Sequence, residues 1–154
     1  MIYLPYNDIG EILQTTSSPL TGRESVYTAL LPDAIGTLST TDESISNEKY
    51  RIDLSSTPTI VAKTSILVPS SNTTAVNTAV TFTGIPSTVS VNVSSELIPT
   101  VDNDEASDFE HNSDDTVEIT DGELTFTTDL TGTYILLFTS PLYLPTNTTI
   151  TVTE

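Results

Sequence analysis

The sequence predicts an all-β protein built from two small modules, the second of them an antiparallel β-sandwich. Apolar residues alternate with Thr and Ser through most of the second half, the two-residue period of a strand with one wet face. The chain of 154 residues holds 30 Thr and 18 Ser. Thr favours strands because it branches at Cβ, and its hydroxyl suits the solvent side. Composition and charge change at Val68-Pro69-Ser70-Ser71-Asn72-Thr73-Thr74, a Pro/Ser/Thr-rich stretch that reads as a linker. The expected organisation is a module over 1–68, a linker over 69–77 and a sandwich over 78–154.

In the second module, Val80 and Phe82 alternate with Thr81 and Thr83. Val89, Val91 and Val93 alternate with Ser90, Asn92 and Ser94. Val117 and Ile119 lie opposite Thr116, Glu118 and Thr120. Asp121-Gly122 follows, a strong hairpin signal, and leads to Leu124 and Phe126 alternating with Thr125 and Thr127. Thr131-Gly132 marks a further turn. Tyr134 to Phe138 is apolar throughout, as a central strand is. Ile150 and Val152 alternate with Thr to close the series. These are six strands, with 97–101 a candidate seventh. Short strands separated by turn signals argue for a sandwich.

The first module reads as a smaller β unit. Ile2 to Tyr6 runs into Asn7-Asp8-Ile9-Gly10 and then Glu11 to Thr15, a hairpin with turn residues at its tip. Pro5 lacks an N–H, which suggests an edge strand. Residues 24–31 suit two helical turns, with Thr21 or Gly22 before them and Pro32 after. Residues 49–54 and 59–63 read as two strands joined at Ser55-Ser56-Thr57-Pro58.

With 21 acids against 4 bases, the net charge is −17 and the pI about 4.1. Residues 1–68 hold all four bases and eight acids; the remainder holds 13 acids and no base. Such a charge repels phosphate and argues against nucleic acid or anionic membrane as a partner. The absence of Cys excludes thiol catalysis, disulfides and Cys-based metal sites, and a single His excludes a multi-His site within one chain. The first residues lack a basic n-region and a long apolar stretch, so no signal peptide is expected. The longest apolar run, 134–138, is too short to span a bilayer.

Two resemblances follow from these residues. The run Asp121-Gly122-Glu123-Leu124-Thr125-Phe126-Thr127-Thr128-Asp129-Leu130-Thr131-Gly132-Thr133-Tyr134, continuing to Tyr143-Leu144-Pro145 and the strand at 149–153, resembles Ig-like and carboxypeptidase-regulatory-like (prealbumin-like) sandwich domains. In the first module Tyr6, Asp8, Gly10, Glu11 and Ile12, then Tyr50, Ile52, Asp53, Ile60, Val61 and Lys63, resemble small bacteriophage virion proteins of tail and head-decoration type. That resemblance implies a non-enzymatic viral structural protein in the virion, with other virion structural proteins as partners and the chain itself a homo-oligomer or present in several copies per particle. Capsid decoration is the first expectation, and a tail or neck accessory or adhesion role the second.

Candidate sites are weighed against simpler readings. Tyr3, Leu4, Tyr6, Tyr27, Leu30, Leu31 and Arg51 form an aromatic, apolar and basic set suited to docking on a partner; the simpler reading is that they are the module's own core. Eleven acids crowd 96–123 without a base. Asp102, Asp104, Asp108, Asp114 and Asp115 offer hard oxygen ligands for calcium, but the spacing lacks the Gly and Glu of an EF-hand, and a solvated acidic loop is the simpler account. His111 among acids resembles a general base, yet no recognisable nucleophile frame accompanies it. Asp114-Asp115 or Glu118 with Asp121 would be the pair for glycoside cleavage, but aromatics for sugar stacking are scarce. Asn72, Asn92 and Asn147 head Asn-x-Ser/Thr sequences, which arise by chance when Ser and Thr are this frequent.

Overall fold

The computed structural model of the chain describes residues 1–95 and 116–154. Among them are twelve strands and one short helix, so the protein is all-β in class. The chain divides into two units, Met1–Thr64 and Ser65–Glu154.

The first unit opens with β1 (Ile2–Tyr6), β2 (Thr16–Ser17), the helix α1 (Glu24–Leu30) and β3 (Gly36–Thr40). β1 lies between β2 and β3, antiparallel to both. It was expected at an edge because of Pro5, and the ladder shows how a central strand tolerates proline. The Pro5 carbonyl accepts from the Leu13 N–H at 2.9 Å. A strand residue directs its N–H and C=O to the same neighbour, so the missing donor faces the 12–16 segment. There the pairing is already interrupted, between the Tyr6–Ile12 bridge and the Tyr3–Thr16 pair. The hairpin tip is built by Asn7, whose Oδ1 accepts from the N–H groups of Ile9 and Glu11 and whose Nδ2 donates to Glu11 Oε2 at 2.8 Å.

Two further strands, β4 (Tyr50–Asp53) and β5 (Thr59–Ala62), form an antiparallel hairpin. It is joined to the first hairpin by the Ile52 N–H donating to the Gly10 carbonyl at 2.8 Å. Leu4, Tyr6, Ile12, Ile45 and Ile52 make the core, with Ile2, Leu38, Tyr50, Leu54 and Ile60 packed against it. Tyr3 points to the opposite face of β1 and stacks on Tyr27 of α1, with ring centroids 4.6 Å apart. Its hydroxyl donates to the Leu20 carbonyl at 2.6 Å. Seven residues are too few for a self-standing helix, and α1 has no side-chain N-cap. It is held by docking: the Ser39 hydroxyl donates to Glu24 Oε1 at 2.6 Å, and the Thr28 and Thr37 hydroxyls lie 2.8 Å apart.

The second unit contains β6 (Ser71–Ala75), β7 (Val80–Thr83), β8 (Ser90–Ser95), β9 (Thr116–Glu118), β10 (Glu123–Phe126), β11 (Gly132–Thr139) and β12 (Thr146–Thr153). A five-stranded sheet in the order β6-β12-β11-β8-β9 and a two-stranded sheet of β10 and β7 enclose one core. All six expected strands are present; the candidate at 97–101 lies outside the described residues. The stretch expected as a linker is not one. Ile66 is buried in the sandwich core, Val68 packs against it, and 71–75 is a strand parallel to β12. Its polar composition suits an edge strand with one side in water. The sandwich strands are therefore antiparallel except for this pair, and an isolated parallel bridge joins Ser65 to Leu144.

Asp121-Gly122 also differs from the expected hairpin. β9 pairs with β8, whereas β10 pairs with β7 in the other sheet, so this turn carries the chain from one layer to the next. Gly122 has φ +83°, and the Asp121 carboxylate accepts from the Glu123 N–H at 3.0 Å. At the start of β11 the Tyr134 hydroxyl donates to the Leu130 carbonyl at 3.0 Å. Such a tyrosine-to-upstream-backbone bond fixes a corner of Ig-type sandwiches.

Thr148 is fully buried in β12, opposite Leu136, and its hydroxyl has no hydrogen-bond partner among the described residues. A buried hydroxyl left unpaired costs free energy that a methyl group does not. Thr148→Val is expected to stabilise the second unit by about 1 kcal/mol. The gain will show as a higher urea midpoint at unchanged slope; a lower midpoint would mean the hydroxyl is satisfied.

Candidate functional site

The structure separates the seven residues of the expected docking set. Tyr3, Leu4 and Tyr6 are interior to the first unit. They are core on both faces of β1, and a partner cannot reach them. Tyr27 is half-buried against Tyr3, and Leu31, just beyond α1, is half-buried as well. Arg51 is half-buried in β4, opposite Val61 of β5. Leu30 alone of the set stands out from the surface, 66% exposed.

On α1 and the loops flanking it the chain exposes further apolar residues that were not singled out from the sequence. Val26, one turn earlier on α1, is 44% exposed and Ile35, on the α1–β3 loop, is 61% exposed. Leu20, on the loop entering α1, is exposed too, although its carbonyl is held by Tyr3. The helix has two faces. Glu24, Tyr27 and Thr28 turn to the sheet, while Arg23, Val26 and Leu30, at helical i, i+3 and i+7 spacing, turn away. The pattern was present in the sequence, but a seven-residue helix gives it little more than one repeat.

The electrostatics are local. The Ser39 hydroxyl holds the Glu24 carboxyl below its ordinary value, and the Ser44 hydroxyl does the same for Asp42. The Ser55 N–H, its hydroxyl and then the Arg51 charge lower Asp53. Burial pushes the Lys63 ammonium down, with Glu11 and Glu48 opposing, and its Nζ donates to the Asn47 carbonyl at 2.6 Å. Each of these carboxylates pins a turn or a helix end through a serine. Among the described residues no three His, Cys, Asp or Glu side chains are grouped to hold a metal ion. Asp102, Asp104, Asp108, Asp114 and Asp115, proposed as calcium ligands, lie outside the described residues, as does His111. Glu118 and Asp121 are both exposed on the sandwich.

A shallow cleft of about 220 Å³ opens beside the sandwich, lined by Val68, Pro69, Asn72, Val80, Phe82 and Thr83. Among the described residues its lining carries no ionisable group. No helix among the described residues is long and apolar enough to cross a membrane. No protein-family model, curated protein or solved structure matches the chain.

Proposed function

We propose that the chain is a non-enzymatic structural protein of a phage particle, docking on the capsid through its first unit and presenting the acidic sandwich to solvent. The observation that supports this is the distribution of surface chemistry. The first unit holds all four bases and turns Val26, Leu30 and Ile35 outward. The second holds 13 acids without a base around its buried core, although Leu67, Val117 and Leu137 are exposed on it. Exposed apolar residues on a helix face that also carries Arg23 suit a protein partner. A domain whose every charged side chain is acidic suits the outside of a particle, where like charge keeps neighbouring particles apart.

The test uses the full-length protein and particles that lack it. Val26→Asp with Leu30→Asp should weaken binding at least about tenfold, the loss expected from burying a charge where an apolar side chain sat. Thr125→Asp, on the exposed face of β10, should bind like the wild type. Unchanged binding by the α1 variant would overturn the assignment. Calcium-dependent attachment to host cells, abolished by EDTA and indifferent to the α1 variant, would instead establish a tail or neck adhesion role.

A further inference from the structure

The two-stranded sheet of the second unit has an open edge. β10 pairs with one side of β7, and among the described residues no strand pairs with the other. Carbonyl directions show which groups are left over. The Gly122 and Thr128 carbonyls both turn toward the β7 side, accepting from the Ile85 and Asn77 N–H groups. Residues of an antiparallel strand alternate in the neighbour they bond, so Leu124 and Phe126 also bond toward β7, to Phe82 and Val80. Thr81 and Thr83 therefore direct their N–H and C=O groups outward, where no hydrogen-bond partner stands among the described residues. Natural sheet edges are blunted by charge, proline or a bulge. β9 and β10 carry Glu118 and Glu123, whereas Val80-Thr81-Phe82-Thr83 has neither charge nor proline. Beside this edge lies the cleft of about 220 Å³, lined by all four residues of β7 together with Val68 and Pro69.

We infer that β7 accepts an added strand: an extended, basic segment of a partner protein pairs with its free edge and sets an apolar side chain in the cleft. A row of unpaired main-chain groups selects a strand as the occupant, since only an extended backbone matches their spacing. The cleft suits an aliphatic side chain or two and falls below the about 300–1,000 Å³ of small-molecule pockets. Its lining, without an ionisable group, asks for an apolar residue there.

Charge selects the sign of the segment. Glu123 is exposed and lies directly opposite Thr83, and Asp121 and Asp129 are exposed a few residues beyond the two ends of β10. An added strand lies two strand spacings from β10, about 9.6 Å, inside the screening length of about 10 Å at 0.1 M salt. A Lys or Arg on it is attracted to Glu123, and an acid is repelled. A second copy of the chain cannot supply such a segment. Its second unit holds 13 acids and no base, and Lys49, Arg51 and Lys63 of its first unit already belong to the paired β4–β5 hairpin.

NMR titration of the full chain with a blocked Lys-Val-Thr-Val-Thr-Val-Lys peptide tests this. The Thr81 and Thr83 amides should shift and become protected from exchange, with affinity falling as NaCl rises from about 50 to about 500 mM. The fully N-methylated peptide, which cannot donate, should bind at least about tenfold more weakly, as should the peptide with Glu in place of both Lys. Thr81→Pro removes an outward N–H at no cost to the β10 ladder and should weaken binding as much. Glu123→Gln, on an exposed position, should flatten the salt dependence without threatening the fold. Val26→Asp with Leu30→Asp should leave binding unchanged, which separates this edge from the particle-docking surface. Absence of binding at about 1 mM peptide, equal binding by the N-methylated peptide, or shifts spread over the acidic surface and not centred on β7 would each overturn the inference. So would protection of Thr81 and Thr83 that grows with the concentration of the chain alone, which would make a second copy the occupant.

Discussion

Gly10→Ala is expected to unfold the first unit while the second remains intact. Gly10 has φ +86°, where an L-residue costs roughly 1–2 kcal/mol. A Cβ there would also overlap the Ile52 carbonyl oxygen, a backbone atom that cannot move aside cheaply. Relieving the overlap means separating the two hairpins and losing the Ile52 N–H to Gly10 carbonyl bond, about 1 kcal/mol more. The sum, about 2–3 kcal/mol before any loss of packing around Ile52, is a large share of what so small a unit possesses. Gly22 is the control. Its φ is +69°, but nothing stands near its missing Cβ, so Gly22→Ala should cost about 1 kcal/mol. Amide NMR through a urea titration, following Leu4 and Ile52 for one unit and Leu136 and Ile150 for the other, reads both outcomes. Equal costs at the two glycines would disprove the close approach at Gly10.

In the second unit, Phe138→Ala should cost about 3–5 kcal/mol. Phe138 is fully buried in β11, the middle strand of the five, and meets Phe82 of the opposite sheet edge-on at 5.9 Å. Its removal leaves a cavity between the two sheets, which the Phe126–Tyr134 pair also bridges. Leu137, one residue earlier, faces outward, and Leu137→Ala should cost well under 1 kcal/mol. Two adjacent positions with opposite outcomes test the strand's facing directly. Comparable losses at both would mean β11 is covered on its outer side as well.

These contrasts indicate what a sequence carries and what it withholds. The alternation around Phe82, Val91, Phe126 and Val152 is visible because each strand has one dry face, and a two-residue period survives any tertiary detail. β6 was missed because an edge strand contributes so little to the core. Its inward residues are Asn72 and Thr74, and its composition is that of a linker. β3 was missed for a similar reason, since Gly36-Thr37-Leu38-Ser39-Thr40 has a single apolar residue. Pairing partners were harder still. Asp121-Gly122 has the chemistry of a tight turn, and local chemistry determines the turn without saying whether the next strand returns to the same sheet. At the candidate docking site the aromatic residues drew attention, but burying Tyr3 and Tyr6 is how a unit of 64 residues builds a core at all. The exposed residues were ordinary aliphatics, which composition does not distinguish.

The parallel pair of β6 and β12 bears on how the sandwich responds to tension. Ser71 to Ala75 runs alongside Thr149 to Thr153 in the same direction. A pull applied at residue 65 draws β6 toward its N-terminal end, and a pull at residue 154 draws β12 the opposite way. The two strands must then slide past each other, loading every rung of the ladder at once. An antiparallel pair pulled from the same end would instead peel open rung by rung. The polar stretch that resembled a loose tether is thus a shear clamp, placed where a stretching force on this unit would first arrive.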